Sequence, residues 1–184
     1  MAAPQVAGMA ALVAQYIPEN GLQEKTGVSV RHLAQSLLMS TAEPVYDASA
    51  ESWYSILKQG AGLANVSNAI NAESYVLVDG QPDGKVKVEL GDDPDRTGEY
   101  TFDFTINNLS DKALAYVLHA GINTMDVEQI EGENYMSNTA RALSPKVTFD
   151  VEGGTSYLYD LNGDGAIDEN DALVLLQVAN GTHD

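Results

Sequence analysis

Oxygen-bearing side chains recur at alternate positions near the carboxyl end of the sequence, between residues 160 and 171. Gly165 follows the third of them and can form the sharp turn that such a loop needs. Calcium is a hard cation that takes six to eight oxygen ligands, and this spacing gathers oxygens around one point. The pattern therefore predicts a Ca²⁺ site, with side-chain oxygens from Asp160, Asn162, Asp164 and Asp171, the carbonyl of Ala166, and Asp168 acting through water.

The residues on either side of this loop indicate what kind of calcium module it is. Asp171 stands at the twelfth position, where an EF-hand loop normally has Glu. The apolar run Ala172–Gly181 ends at a glycine and predicts a helix, whereas Tyr157–Tyr159 is typical of extended chain. A calcium loop that has a helix only after it resembles one repeat of a dockerin. That resemblance implies a cohesin-like partner, although the chain carries a single repeat where dockerins carry two.

The first residues of the chain form a second informative pattern. Met1–Leu12 is apolar on every side except at Gln5, and it predicts a helix that must be covered by other parts of a structure. Met1-Ala2-Ala3-Pro4-Gln5-Val6-Ala7-Gly8 resembles the helix of subtilisin-like serine peptidases, in which the catalytic serine immediately precedes the Met. Two later segments resemble the same family in the same order, namely Leu37-Leu38-Met39-Ser40-Thr41-Ala42 with Pro44, and Gln59-Gly60-Ala61-Gly62-Leu63-Ala64-Asn65-Val66.

The resemblance implies the end of a peptidase catalytic domain without its catalytic residues. The family's serine would precede Met1, and its His and Asp would lie further upstream. We therefore predict that His32, His119 and His183 are structural or surface residues, and that this chain alone has no peptidase activity. The family resemblance also implies protein or peptide substrates for the parent enzyme.

Composition restricts the partners of this chain. It has 27 acidic and 9 basic residues in 184, for a formal net charge of −18, which disfavours nucleic acid and anionic membranes. It has no cysteine, which excludes disulfides and cysteine-bound zinc. We predict no membrane-spanning segment, because the sequence contains no long apolar stretch. The family resemblance implies a bacterial protein that is secreted or held at the cell surface.

The middle of the sequence predicts an antiparallel β region. A turn-rich segment around Pro82 precedes alternating patterns over 85–90 and 99–107, and further apolar strands are predicted over 113–122 and 146–151. Strands without helices between them favour a sandwich. The region resembles the fibronectin-III-like domain of cell-envelope subtilases, with fewer strands than the usual seven in about 100 residues.

Together these patterns predict an α+β chain in three parts. Residues 1–72 would be the end of a subtilase catalytic domain, 73–156 a fibronectin-III-like β-sandwich, and 157–184 a dockerin-like calcium repeat. The predicted function is a fragment of a secreted serine endopeptidase that carries an accessory β-domain and a calcium site. The main alternative is a non-enzymatic, calcium-dependent extracellular interaction module. An intracellular calcium sensor is a weaker alternative, because sensors pair two complete helix–loop–helix units. A homo-oligomer is a further expectation, because the apolar first helix needs cover.

Overall fold

The computed structural model describes residues 2–81, 83–118, 120–143, 146–150, 152, 154–158 and 174–178. They fall into two compact units. The first contains the described residues of Met1–Glu43 and Ala61–Leu109, and the second those of Pro44–Gly60 and Ser110–Asp184. The predicted domain boundaries after residues 72 and 156 stay predictions.

Helices occupy the early part of the chain. They are α1 (Ala2–Glu19), α2 (Leu22–Thr26), α3 (Val30–Ser40), α4 (Ile56–Gln59) and α5 (Val66–Ile70). None of the described helices is long and apolar enough to cross a membrane.

Strands are short and antiparallel. They are β1 (Tyr46–Asp47), β2 (Ser52–Trp53), β3 (Ser74–Val78), β4 (Phe104–Asn108), β5 (Leu114–Leu118), β6 (Ile122–Ile130), β7 (Glu133–Leu143), β8 (Gly154–Leu158) and β9 (Val174–Val178). They pair as β1–β2, β3–β4 and β6–β7, and as a three-stranded sheet in the order β5-β9-β8. The predicted α+β class is confirmed.

The core of the first unit lies between α1 and α3. Helix α3 begins at Ser29, whose hydroxyl accepts a hydrogen bond from the backbone N–H of His32, as an N-cap does. Leu33 and Leu37 stand four residues apart on one face of α3, and both are fully buried. They pack in one cluster with Val13 and Ile17 from the second half of α1. Each such side chain contributes about 1.5–3 kcal/mol when it is removed from water.

Helix α3 also holds the two-stranded sheet of this unit. The hydroxyl of buried Ser36 donates a hydrogen bond of 2.5 Å to the carbonyl of Val76 in β3. This bond satisfies a carbonyl on the side of β3 that faces α3 rather than β4. Tyr75 of β3 is buried in the same cluster as Leu33 and Leu37.

The second unit contains a long β-hairpin. Strands β6 and β7 pair from Ile122↔Leu143 to Ile130↔Glu133, with an irregularity between Met125 and Val127. Glu131 and Gly132 connect them, with φ of 54° and 86°. A two-residue connection with both φ values positive matches the right-handed twist of the strands that it joins.

The first half of α1 differs from the prediction that this helix is covered. Met9 and Ala10 are half-buried and Val13 is buried, but residues 2–8 are exposed. The exposed fraction is 47% for Val6 and 57% for Leu12. The prediction is wrong for the single chain because only the second half of α1 lies against α3 and α5.

Two of the predicted strands are also wrong. Residues 85–90 and 146–150 form no strand, and 99–107 is a strand only from Phe104 onward. Along 85–90 the side chains still alternate, with Val86 and Val88 half-buried between more exposed neighbours. Alternation alone does not make a strand, because a strand also needs a neighbour to complete its backbone hydrogen bonds.

The predicted helix Ala172–Gly181 is contradicted where the structure describes it. Val174–Val178 forms β9, which pairs with β5 on one side and β8 on the other. A short apolar run has no polar face that could distinguish a helix from a buried central strand, so partners decide. The described strands make four small sheets, and the fibronectin-III-like sandwich stays a prediction.

Candidate functional site

The predicted calcium ligands lie outside the described residues. This holds for all six, namely Asp160, Asn162, Asp164, Ala166, Asp168 and Asp171. The structure does describe the strands on either side of them. Leu158 at the end of β8 is the pairing partner of Val174 at the start of β9. The last described residue before the predicted ligands and the first after them are therefore direct pairing partners.

The pairing matters for the predicted calcium loop because it brings together the residues on either side of it. A loop whose ends are already held together has lost part of the conformational entropy that an ion would otherwise have to overcome. The donor set consists of carboxylate, amide and carbonyl oxygens, which are the ligands that calcium takes. The calcium site over residues 160–171 stays a prediction from the sequence.

Another acidic segment, residues 91–98, has a different role. One oxygen of the Asp93 carboxylate accepts a hydrogen bond from the backbone N–H of Thr97 at 3.0 Å, and the other accepts one from Gly98 at 2.6 Å. The N–H of Gly98, followed by that of Thr97, holds the pKa of Asp93 below its ordinary value. Asp93 therefore closes a turn. Within the described part of the chain, no group of three or more His, Cys, Asp or Glu side chains could hold a metal.

The histidines do not form a catalytic arrangement where they are described. His32 lies half-buried in the first turn of α3, beside a cavity of about 620 Å³ that Ser29, Gln81 and Gly84 also line. Among the described residues its imidazole has no hydrogen bond to a carboxylate or a serine hydroxyl, which a catalytic triad requires. His119 and His183 lie outside the described residues.

The segment Gln59–Val66 has a structural explanation at each of its characteristic residues. Gly60 and Gly62 have φ of 61° and 124°, values that a side chain disfavours. Asn65 caps α5, because its side-chain oxygen accepts hydrogen bonds from the N–H groups of Ser67 and Asn68. Leu63 exchanges two backbone hydrogen bonds with Glu43, at 3.0 and 2.8 Å. The two glycines of this segment are thus explained by their backbone conformation, and Asn65 is explained by its hydrogen bonds to the start of α5.

Gln59 holds a small hairpin that the sequence analysis missed. Its side-chain oxygen accepts a hydrogen bond of 2.7 Å from the N–H of Val45, and its side-chain nitrogen donates to the carbonyl of Tyr54. These two residues flank β1 and β2, and the N–H of Tyr54 also bonds to the carbonyl of Val45 at 3.0 Å. A single glutamine therefore ties both ends of the hairpin to the end of α4.

The hairpin presents a pair of aromatic rings to solvent. Tyr46 and Trp53 are direct pairing partners, and their rings meet edge to face, with centroids 5.1 Å apart and an interplanar angle of 76°. The two side chains are 50% and 42% exposed, respectively. Two aromatic residues separated by six small or polar ones were the available sequence signal, but the intervening Asp-Ala-Ser-Ala-Glu-Ser contains no glycine to mark a turn.

Comparison with known proteins gives one consistent result. No protein-family model matches the chain. C5a peptidase of Streptococcus pyogenes is 30% identical to it over 152 residues, which are 82% of this chain and 12% of that protein. The C5a peptidases of serotypes M6 and M3 are 31% and 29% identical over the same length and shares. The chain thus spans about an eighth of the length of these relatives, and most of it is homologous to one part of C5a peptidase.

Proposed function

We propose that this chain is part of a secreted, subtilisin-like serine endopeptidase of the bacterial cell envelope. The observation that carries the proposal is the agreement between the sequence motifs and the similarity to known peptidases. Three segments that resemble subtilase motifs occur in order within residues 1–66, and 82% of the chain is similar to proteins named peptidases. In the complete enzyme, a serine would attack the peptide bond and form an acyl-enzyme that water then hydrolyses.

The structure supports this assignment through the parts that the motifs form. The first motif lies in α1, the second ends α3, and the third runs from the end of α4 into α5. α1, α3 and α5 contribute to one apolar cluster through Val13, Leu37 and Ala69. The helices that carry the motifs thus share one apolar core, to which the second motif contributes Leu37 directly, whereas residues 2–8 of the first motif are exposed. The chain itself supplies packing and support, and the proposal assigns it no catalytic residue.

The accessory parts of the proposal are a β-domain and a calcium site. The β-rich residues after β3 would belong to a fibronectin-III-like domain that spaces or supports the peptidase. Residues 160–171 would bind one Ca²⁺ through the six ligands predicted from the sequence. The pairing of Leu158 with Val174 supports this site, because it holds the ends of the loop together. Bound calcium would neutralise the crowded carboxylates there and stabilise the loop.

The alternative function as a dockerin-like docking module has less support. The docking helix of that alternative was predicted over Ala172–Gly181, and Val174–Val178 is a strand of a sheet instead. We therefore do not propose a cohesin-like partner. The partners that we propose are protein or peptide substrates of the complete peptidase.

A chimeric enzyme tests the proposal. The matching 152-residue part of the Streptococcus pyogenes C5a peptidase is replaced by the corresponding part of this chain. We expect the folded chimera to cleave peptide substrate and to be labelled by a serine-directed fluorophosphonate.

The control chimera carries Gly60→Val and Gly62→Val, which oppose the positive φ values of the segment between α4 and α5. It should lose most of this labelling. A parent chimera that folds, by circular dichroism, yet is neither labelled nor active would contradict the proposal.

A further inference from the structure

The paired rings of Tyr46 and Trp53 are held rigidly although they face solvent. Gln59 fixes both ends of their hairpin. The side chain of Asn123 donates a hydrogen bond of 3.3 Å to the carbonyl of Trp53 and so ties β6 to β2. Gly121 lies close to the indole, since a Cβ atom there would be 3.9 Å from its Cδ1 atom. These contacts hold the rings of Tyr46 and Trp53 in place, so binding of a partner would cost little conformational entropy.

Rigid, exposed aromatic rings are the side chains that contribute most at protein interfaces. Tyr and Trp are enriched there and, together with Arg, among the residues that dominate binding free energy. Val45 and Tyr54, which precede β1 and follow β2, are also exposed, at 40% and 37%. We call Val45, Tyr46, Trp53 and Tyr54 the aromatic hairpin patch.

The acidic residues around this patch favour a partner that carries positive charge. Asp47 and Glu51 belong to the same hairpin, and the chain as a whole has a net charge of −18. The side-chain and backbone donors of Ser49 hold the pKa of Asp47 below its ordinary value, so this carboxylate is ionised at neutral pH. The carboxylates of Asp47 and Glu51, together with the acidic chain as a whole, favour a cationic partner through an attraction that salt screens over about 8–10 Å.

We propose that the aromatic hairpin patch is a docking site for a cationic segment of a polypeptide, with Arg side chains lying on the rings of Tyr46 and Trp53. An arginine offers both features that the patch can recognise, because its guanidinium stacks on aromatic faces and carries a positive charge. A neutral oligosaccharide would use the rings but not the charge. The proposal does not depend on peptidase activity.

Trp53 is the only tryptophan of the chain, so its fluorescence reports on this patch alone. The full chain is titrated with the peptide Gly-Arg-Gly-Arg-Gly and, separately, with the same peptide in which citrulline replaces both arginines. Citrulline keeps the shape of the side chain and removes its charge. We expect a saturable change of Trp53 emission with the arginine peptide and a much weaker response to the citrulline peptide.

Matched variants locate the binding. Tyr46→Leu should weaken binding of the arginine peptide about two- to fivefold, the loss expected for one exposed cation–π contact. Tyr100→Leu is the control, because Tyr100 is 49% exposed and belongs to the other compact unit. It should bind like the unmodified chain. Glu51→Gln, which removes one charge of the hairpin, should weaken binding and lower its dependence on salt.

Three results would overturn the proposal. One is an unchanged Trp53 emission with the arginine peptide. Another is an equal effect of Tyr46→Leu and Tyr100→Leu, which would mean diffuse attraction to an acidic chain. The third is a saturable response to chitin oligosaccharide in the absence of a response to the arginine peptide, which would make the patch a sugar site.

Discussion

Gly84 packs directly against the backbone of His32. A Cβ atom on Gly84 would lie 2.5 Å from the His32 carbonyl oxygen and 2.8 Å from its Cα atom. Gly84 also has φ of 74°, in the left-handed region. The close approach brings the segment after β3 onto the first turn of α3, beside the cavity that His32 lines. A glycine is required here for both its conformation and its small size.

Gly84→Ala should destabilise the first unit strongly. Left-handed backbone costs a residue with a side chain about 1–2 kcal/mol, and overpacking adds about 1–3 kcal/mol. Gly80→Ala is the matched control, since Gly80 has φ of 75° but open space around it. Urea unfolding should show the larger loss of unfolding free energy for Gly84→Ala. Equal losses would mean that the contact with His32 contributes nothing.

The exposed half of α1 should make the chain self-associate. Val6 and Leu12 are uncharged, exposed, and part of a helical stretch without a polar face. Sedimentation velocity should show oligomers or aggregates for the unmodified chain. The double variant Val6→Gln, Leu12→Gln should be mostly monomeric with unchanged helical content, because neither side chain is buried. A clean monomer of the unmodified chain would rule out the oligomer.

Helices α1 and α3 show how much of the helical part of the fold could be predicted from the sequence. α1 was expected because it carries a continuous apolar pattern, and α3 has further helix signals in its apolar face and its capping serine. The exposure of the first half of α1 could not be predicted from its own residues. A helix without a polar face indicates that cover is needed, but the covering surface is a property of the rest of the structure.

The strands show where prediction from the sequence was limited. The hairpin of β6 and β7 was missed, although Glu131-Gly132 is a two-residue connection of the type that hairpins use. Residues 85–90 have the alternation of a strand but no partner, and Val174–Val178 became a central strand rather than a helix. Each outcome depends on which distant segment pairs with the chain, and short patterns do not contain that information.

Calcium should bind to residues 160–171 with a dissociation constant of about 10⁻⁴–10⁻³ M, as in extracellular modules. Isothermal titration should show one site in the unmodified chain. Asp160→Ala or Asp171→Ala should abolish binding, and Asp168→Ala should only weaken it, because the ninth position commonly acts through water. Asp150→Ala, an exposed acidic residue outside the loop, should have no effect. The absence of heat at millimolar calcium would mean that the loop has lost its function.

The chain alone should show no peptidase activity. The subtilase resemblance places none of the triad residues within it, and a site without its nucleophile and base retains only residual catalysis. Casein and a fluorogenic peptide should both remain intact after prolonged incubation. Cleavage that a serine-directed fluorophosphonate inhibits would show that the assignment of the motifs is wrong.

The central claim is that this chain is one part of a subtilisin-like peptidase, and the DNA immediately upstream of the codon for Met1 tests it most directly. The resemblance of Met1–Gly8 to the nucleophile helix requires a serine directly before Met1. Sequencing of the source locus should therefore reveal an in-frame Gly-Thr-Ser, followed upstream by the coding sequence of a catalytic domain. An in-frame upstream sequence with another residue in place of that serine would contradict the claim.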